Sequence, residues 1–243
     1  MIRVAAYNLS GLPDPGAAAA VLLPLQCELV CAIETPGRLA LKRLARRTGL
    51  EVVGRAGRGR LGVAVLAGER VRILSASRHD LARLVGLPHR STVQVIASVE
   101  GARVVVFPVQ LGLRPEARER HATELTDLIG KVDAAAIVAG DLNEPPGGVA
   151  SEQFTELLDD AYTVAGERSG VTYPNPDPAA RRDYVFVART LEVVRAWVPD
   201  EPPVAIASHH RPVVAELRVV PRADRESDSL RGRARDGDTE EVA

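Results

Sequence analysis

"IVAGDLNEPPGG", residues 137–148, carries an apolar run straight into an acid and an amide, then into a loop of prolines and glycines. Such a run, cut off by Pro and Gly, reads as a buried strand that ends abruptly. Asp141 and Asn143 then stand where the strand leaves the core, in directions fixed by the strand, and fixed directions are what chemistry needs. Asp and Asn also make local turns at such places, so the stretch takes its meaning from what the rest of the chain sets beside it.

The same arrangement recurs. The apolar strand Ile2 to Leu9 carries Asn8 near its end, and "ELVCAIE", residues 28–34, ends on Glu34. The strand Arg103 to Val109 runs into Gln110, "DYVFV" opens on Asp183, and His209 and His210 precede the last strand in "ASHHRPVVAELRVV". Polar residues at the margins of so many apolar strands predict one shared polar rim.

Between them lie helices. Asp14 is placed as an N-cap with Pro15 as first helical residue. "RLALKRLARRTGL" sets Leu39, Leu41, Leu44 and Ala45 near one face and its arginines largely elsewhere, stopping at Gly49. Further helices are expected from Pro115 to about Gly130 and from about Ser151 to Leu158, and further strands at "GVAVLAG", Arg70 to Leu74, Ser91 to Val99 and Glu192 to Val198. Strands outnumber helices, and hairpin-like neighbours alternate with crossovers. Two packed mixed sheets with helices outside fit this α/β pattern better than one doubly wound parallel sheet.

Composition limits the partners. The chain has 243 residues, 46% of them hydrophobic, enough for one large core over residues 1–220. Aromatics make up only 3%, so the stacking platforms that single-stranded nucleic acid demands are scarce. The net charge is −1, and the segment 221–243 holds five Arg against seven Asp and Glu, which leaves the remainder at +1. No field of the whole protein steers a polyanion, and any phosphate-binding surface must be local. The segment 221–243 is polar and charged, and its composition predicts disorder. Cys27 and Cys31 are the only cysteines and read as buried thiols of a reducing compartment. The N-terminus shows no cationic leader, and Pro24 interrupts an apolar run too short to span a bilayer, so a cytoplasmic protein is expected.

The ordered set "VAAYNL", "VCAIE", "GVAVL", "VVVFPVQLGL", "IVAGDLNEP", "RRDYVFV" and "SHHRPV" resembles the endonuclease/exonuclease/phosphatase superfamily of metal-dependent phosphoesterases. The resemblance implies the deoxyribonuclease I-like four-layer α/β/β/α sandwich, with its site at one rim of the sheets. It implies Glu34 as ligand of Mg²⁺ or Mn²⁺, with Asn8 and His209 beside it, and Asp141, Asn143, Asp183 and His210 as the catalytic group. Asn8, Gln110 and Arg211 would contact the substrate. A hard cation on carboxylate oxygen neutralises a phosphoester that otherwise repels hydroxide. Asp141 would take a proton from the attacking water that Asn143 orients, and His210, held charged by Asp183, would face the phosphate.

The chain departs from the family where Gln110 replaces a His, His209 an Asp, Ile33 a Gln, and Arg182 an apolar residue. These changes leave two readings: a working phosphoesterase, or the same fold retained as a binding module. Nucleic-acid binding without cleavage, on Arg55, Arg58 and Arg60, is a third and less favoured class. His79, His89 and His121 have no motif around them and read as surface or packing residues. Scarce aromatics and a near-neutral body tilt the substrate toward a small or lipid-like phosphoester rather than duplex DNA.

Overall fold

Alternation of side chains along successive strands builds two six-stranded sheets, each buried on both faces. The computed structural model describes residues 1–219, so the segment 221–243 read as a disordered tail lies outside the described residues. The first half of the chain runs β1 (Ile2–Asn8), α1 (Pro15–Leu25), β2 (Leu29–Ile33), α2 (Arg38–Arg47), β3 (Leu50–Ala56), β4 (Val63–Gly68), β5 (Val71–Asp80), β6 (Ser91–Val99) and β7 (Ala102–Gln110). It continues as α3 (Pro115–Ile129), β8 (Ala135–Asp141), α4 (Val149–Leu157), β9 (Leu158–Asp160), α5 (Ala161–Ala165), β10 (Asp183–Ala188), β11 (Leu191–Trp197), α6 (Val204–Ala207) and β12 (Val213–Val219).

The strand orders are β11-β12-β1-β2-β4-β3 and β5-β6-β7-β8-β10-β9. Each sheet is mixed, with one parallel pair, β1 with β2 and β7 with β8, among antiparallel neighbours. The inner faces share a core of Val, Ile, Leu and Ala that includes Val4, Ala6, Ile33, Val65, Val95, Val106, Ile137 and Val185. The outer face of the first sheet packs on α1, α2 and α6, and that of the second on α3 and α4. This is the expected four-layer sandwich. Each fully buried aliphatic side chain contributes about 1.5–3 kcal/mol relative to exposure, so a core nearly without aromatics suffices.

Local rules explain most boundaries. Asp14 caps α1 by accepting from the backbone N–H of Gly16 (2.8 Å) and Ala17 (3.0 Å), with Pro15 first in the helix. The α2 expectation needs one correction: Leu41, Leu44 and Ala45 are buried, but Leu39 is 73% exposed. Residues two apart on a helix point in nearly opposite directions, so Leu39 cannot share a face with Leu41.

Strand β3 escaped the sequence reading because Gly54 and a register shift between Val52 and Gly54 break its period. A Cβ at Gly54 would lie 2.8 Å from methyls of both Val93 and Val95 on the facing sheet, so only Gly allows that approach. Strand β5 also outruns its expected end, continuing through the polar, exposed Ser75–Asp80 as an edge strand. Cys27 and Cys31 are free and buried, and burial pushes the Cys27 thiol up to about 12. His121 is buried as a packing residue. Among the described residues no helix is long and apolar enough to cross a membrane.

Candidate active site

The inner faces of the two sheets run out of apolar residues at the same rim. On β1, Val4 and Ala6 face the inter-sheet core, and Asn8 is next in that row. Val104 and Val106 lead to Gln110 on β7, Ile137 and Ala139 to Asp141 on β8, and Val185 stands two residues from Asp183 on β10. A period of two therefore aims all four polar side chains into the gap between the sheets. Pairing aligns them, because Gln110 and Asp183 both stand opposite Asp141 on its two neighbouring strands.

Glu34 arrives differently. In β2 Leu29, Cys31 and Ile33 face inward, so alternation alone would send residue 34 to the helix side. Its backbone instead takes φ +50°, a left-handed conformation rare outside Gly, which re-aims the carboxylate. Asn143 is also left-handed, at φ +55°. Gly140 has no alternative residue: a Cβ there would lie 1.9 Å from the carbonyl oxygen of Val109.

The side chains join in one network. Asn8 Nδ2 donates to Asp141 Oδ2 (3.0 Å) and to Glu34 Oε1 (3.4 Å), tying carboxylates from different sheets. Gln110 Nε2 donates to Glu34 Oε1 at 3.0 Å, and the exposed Arg60 reaches Glu34 Oε2 at 3.3 Å. The backbone N–H of Asn143 donates to Asp141 Oδ1 (2.9 Å), while its side-chain Nδ2 donates to the Leu111 carbonyl (3.0 Å), leaving its Oδ1 without a protein donor.

His210 Nδ1 lies 2.8 Å from Asp183 Oδ2, and its Nε2 stands 4.0 Å from Asp141 Oδ2. Behind the imidazole the Tyr173 ring packs at 4.7 Å between centroids. The Ser208 hydroxyl donates to the Asn8 carbonyl (2.6 Å) and accepts from the His210 N–H (3.2 Å), fixing the loop before β12 to the end of β1.

This packing sets the charges. Burial and then the charge of Asp183 push the Asp141 carboxyl up to about 7, against the pull of His210. Burial would lower His210, but the charge and hydrogen bond of Asp183 outweigh it, with help from Asp141 and Glu34, and hold the imidazole near 9. Asp183 Oδ1 is buried with no partner. Asp141, Asp183 and His210 each offer a ligand atom within 4.8 Å of the others, a spacing that could hold a metal ion.

Thus Asn8, Glu34, Gln110, Asp141, Asn143, Asp183 and His210 meet. Two of the expected residues stand apart. The Arg211 guanidinium is tied to the proline loop, through Asn175 Oδ1 (3.1 Å) and the Pro176 carbonyl (2.7 Å). The His209 side chain is exposed and makes no hydrogen bond among the described residues. Of Arg55, Arg58 and Arg60, only Arg60 reaches the network. Sequence reasoning overlooked Ser208, Tyr173 and Arg90; the last stands directly before β6, at the kind of strand margin that marked the others.

The fold is the deoxyribonuclease I-like sandwich, and the sequence agrees with it. Residues 5–228 match the Endonuclease/Exonuclease/phosphatase family, and the chain belongs to it. No curated protein matches significantly. Among solved structures, an endonuclease/exonuclease/phosphatase of Bacteroides vulgatus is similar at 20% identity and TM-score 0.77, covering 90% of this chain and 99% of that one. The mannosyl-6-phosphatase of Bacteroides thetaiotaomicron follows at 17% identity and TM-score 0.79, over 90% and 100%. The human Nocturnin catalytic domain, solved with bound sulfate, has 16% identity and TM-score 0.71, over 90% and 94%. At these identities the structures establish the shared fold, and the family supports a phosphoesterase.

Proposed function

We propose that this protein hydrolyses a phosphoester with the help of a divalent cation, Mg²⁺ or Mn²⁺, held at Glu34. The observation that carries this reading is the Asn8 amide bridging Glu34 and Asp141 within reach of His210. Three carboxylates share the rim with one buried imidazole and the buried Arg90 guanidinium, which leaves a residual negative charge that a hard cation would balance. Glu34 suits the ion, because the only cation it pairs with among the described residues is Arg60, which is exposed and easily displaced. Asp183 suits it less, since its Oδ2 is committed to His210. His209 stands outside the network, and a neutral imidazole there could serve as a ligand, of Mn²⁺ rather than Mg²⁺, only by turning toward Glu34.

Bound there, the ion supplies positive charge against the phosphoryl oxygens. The residues do the rest. Asp141, poised near neutrality, accepts a proton from the attacking water. The free Oδ1 of Asn143 accepts the other hydrogen of that water and orients it. His210 carries its proton on Nε2 toward the phosphate while Nδ1 donates to Asp183, which fixes the ring.

A panel of chromogenic phosphodiesters and phosphomonoesters with Mg²⁺ or Mn²⁺ tests this. Wild type should turn over at least one ester only with the ion present, and Asp141→Ala should lower the rate by about 10²-fold or more. Equal inertness of both proteins across the panel would sink the proposal.

A further inference from the structure

Beneath the rim lies a cation that the scheme above does not use. Arg90 is 8% exposed and has no carboxylate at ion-pair distance among the described residues. Its Nη1 donates to Gln110 Oε1, and its Nε is buried without a partner. A buried guanidinium outside any pair is costly unless nearby negative charge compensates. That charge is at hand: burial lowers the affinity of Arg90 for its proton, while Asp141 and then Glu34 act in the opposite sense.

The contact also decides which way Gln110 faces. An amide can present either end, but a guanidinium only donates, so Arg90 must meet the oxygen. The NH₂ end is thereby aimed at Glu34, which takes one of its two hydrogens at 3.0 Å. The second hydrogen has no acceptor among the described residues. A donor chain from guanidinium to carbonyl to N–H strengthens the last link, because each bond polarises the next.

We propose that Arg90 is a positioning residue of the phosphoester site: acting through Gln110, it supplies a permanent positive charge that favours the phosphate oxygens. The inference rests on the proposed phosphoester site, although it concerns anion binding and not turnover. It makes Gln110 the outer end of a charged relay, although an amide carries no charge of its own.

Titrations of the full chain with inorganic phosphate and, separately, with Mn²⁺ test the proposal in wild type, Arg90→Lys, Arg90→Gln and Arg90→Met. Arg90→Gln and Arg90→Met should weaken phosphate binding by about tenfold, the order expected for one charge-assisted interaction. Mn²⁺ should bind them as tightly as wild type or more tightly, because a cation beside the carboxylates has been removed. Arg90→Lys should keep phosphate affinity nearer to wild type. A merely structural role would weaken both ligands together and would not separate Lys from Gln.

If Arg90→Met does not fold, Arg90→Gln against Arg90→Lys decides. Equal phosphate affinity in all folded variants, a parallel loss of phosphate and Mn²⁺, or no phosphate binding by wild type overturns the inference. Phosphate binding that depends on Arg90 without any ester hydrolysis would overturn only the proposed activity. Hydrolysis that is indifferent to Arg90 would overturn only the present inference.

Discussion

Two buried acids flank strand β10, and their surroundings differ in one respect. Asp160, on β9, accepts from Arg181 and from the Tyr162 N–H (3.1 Å) through Oδ1, and from the Thr163 hydroxyl (2.8 Å) through Oδ2. Arg181 in turn lies over the rings of Tyr184 (4.3 Å) and Tyr162 (5.0 Å). The two opposite charges there are paired one to one, although Arg181 Nε makes no hydrogen bond among the described residues. Asp141, on β8, shares its space with Asp183 and Glu34 and with one imidazole, and a buried oxygen of Asp183 has no donor among the described residues. The matched region holds the loop from 172 to 182 against the sheet. On the proposed function, the mismatched region would be completed by an added cation and an added anion.

Substitution should therefore separate function from stability in opposite senses. Asp141→Asn should cut turnover of any ester that wild type hydrolyses by about 10²–10⁴-fold. Its melting temperature in metal-free buffer should hold or rise, because a buried like charge beside Asp183 is gone. Asp160→Ala should do the reverse, costing about 3–5 kcal/mol in urea unfolding by stranding Arg181, with activity per folded molecule unchanged. If Asp141→Asn destabilises as Asp160→Ala does, the two regions do not differ in the way described.

The pH response sharpens the contrast. Asp141 is raised from 3.8 to about 7 and His210 from 6.5 to about 9, so the folded protein binds both protons more tightly than the unfolded chain. Stability linked to these groups must then fall as pH rises. The Asp141 contribution is full below 3.8 and lost by about 7, while that of His210 is full below 6.5 and lost above about 9. Metal-free wild type should melt progressively lower across this range, and Asp141→Asn should lose the lower limb and draw the upper one to lower pH, because Asp141 also raises His210. By NMR the imidazole of His210 should titrate near 9, and Asp183→Asn should bring it down, since burial is then opposed only by the smaller pull of Asp141 and Glu34. An unchanged His210 titration in Asp183→Asn would remove the ion pair from the account.

How much of this was legible depends on what carried each residue to the rim. Asn8, Gln110, Asp141 and Asp183 could be read from the sequence because each ends or opens a period-two row, and the pleat does the aiming. Glu34 was recognisable by type, but its direction comes from a left-handed backbone that no side-chain period encodes. Arg211 stood beside His210 in the chain and was read with it; the bonds to Asn175 and the Pro176 carbonyl draw it away. Arg90 stands at a strand margin like the others but was passed over, because arginines are common in this chain and only its contact with Gln110 marks this one. The sandwich itself was plain from the strand count, whereas β3 was hidden by a glycine whose reason lies on the other sheet.

The smallest effect belongs to Arg60, and the comparison with Arg181 explains its size. Both arginines meet a carboxylate, but the Arg60 side chain is 77% exposed and that of Arg181 only 9%. Water and salt screen the first pair, so Arg60→Ala should change stability by no more than about 0.5 kcal/mol. Its consequence should lie in ion binding. A charge that touches Glu34 opposes a divalent cation by about 2 kcal/mol in high dielectric, so its removal should tighten Mn²⁺ binding by up to about thirtyfold at low ionic strength. In 1 M salt, where the screening length falls to about 3 Å, the gain should disappear. An Mn²⁺ affinity indifferent to Arg60 at low salt would place the ion away from Glu34, for a cation at that carboxylate has to displace or oppose the guanidinium already there.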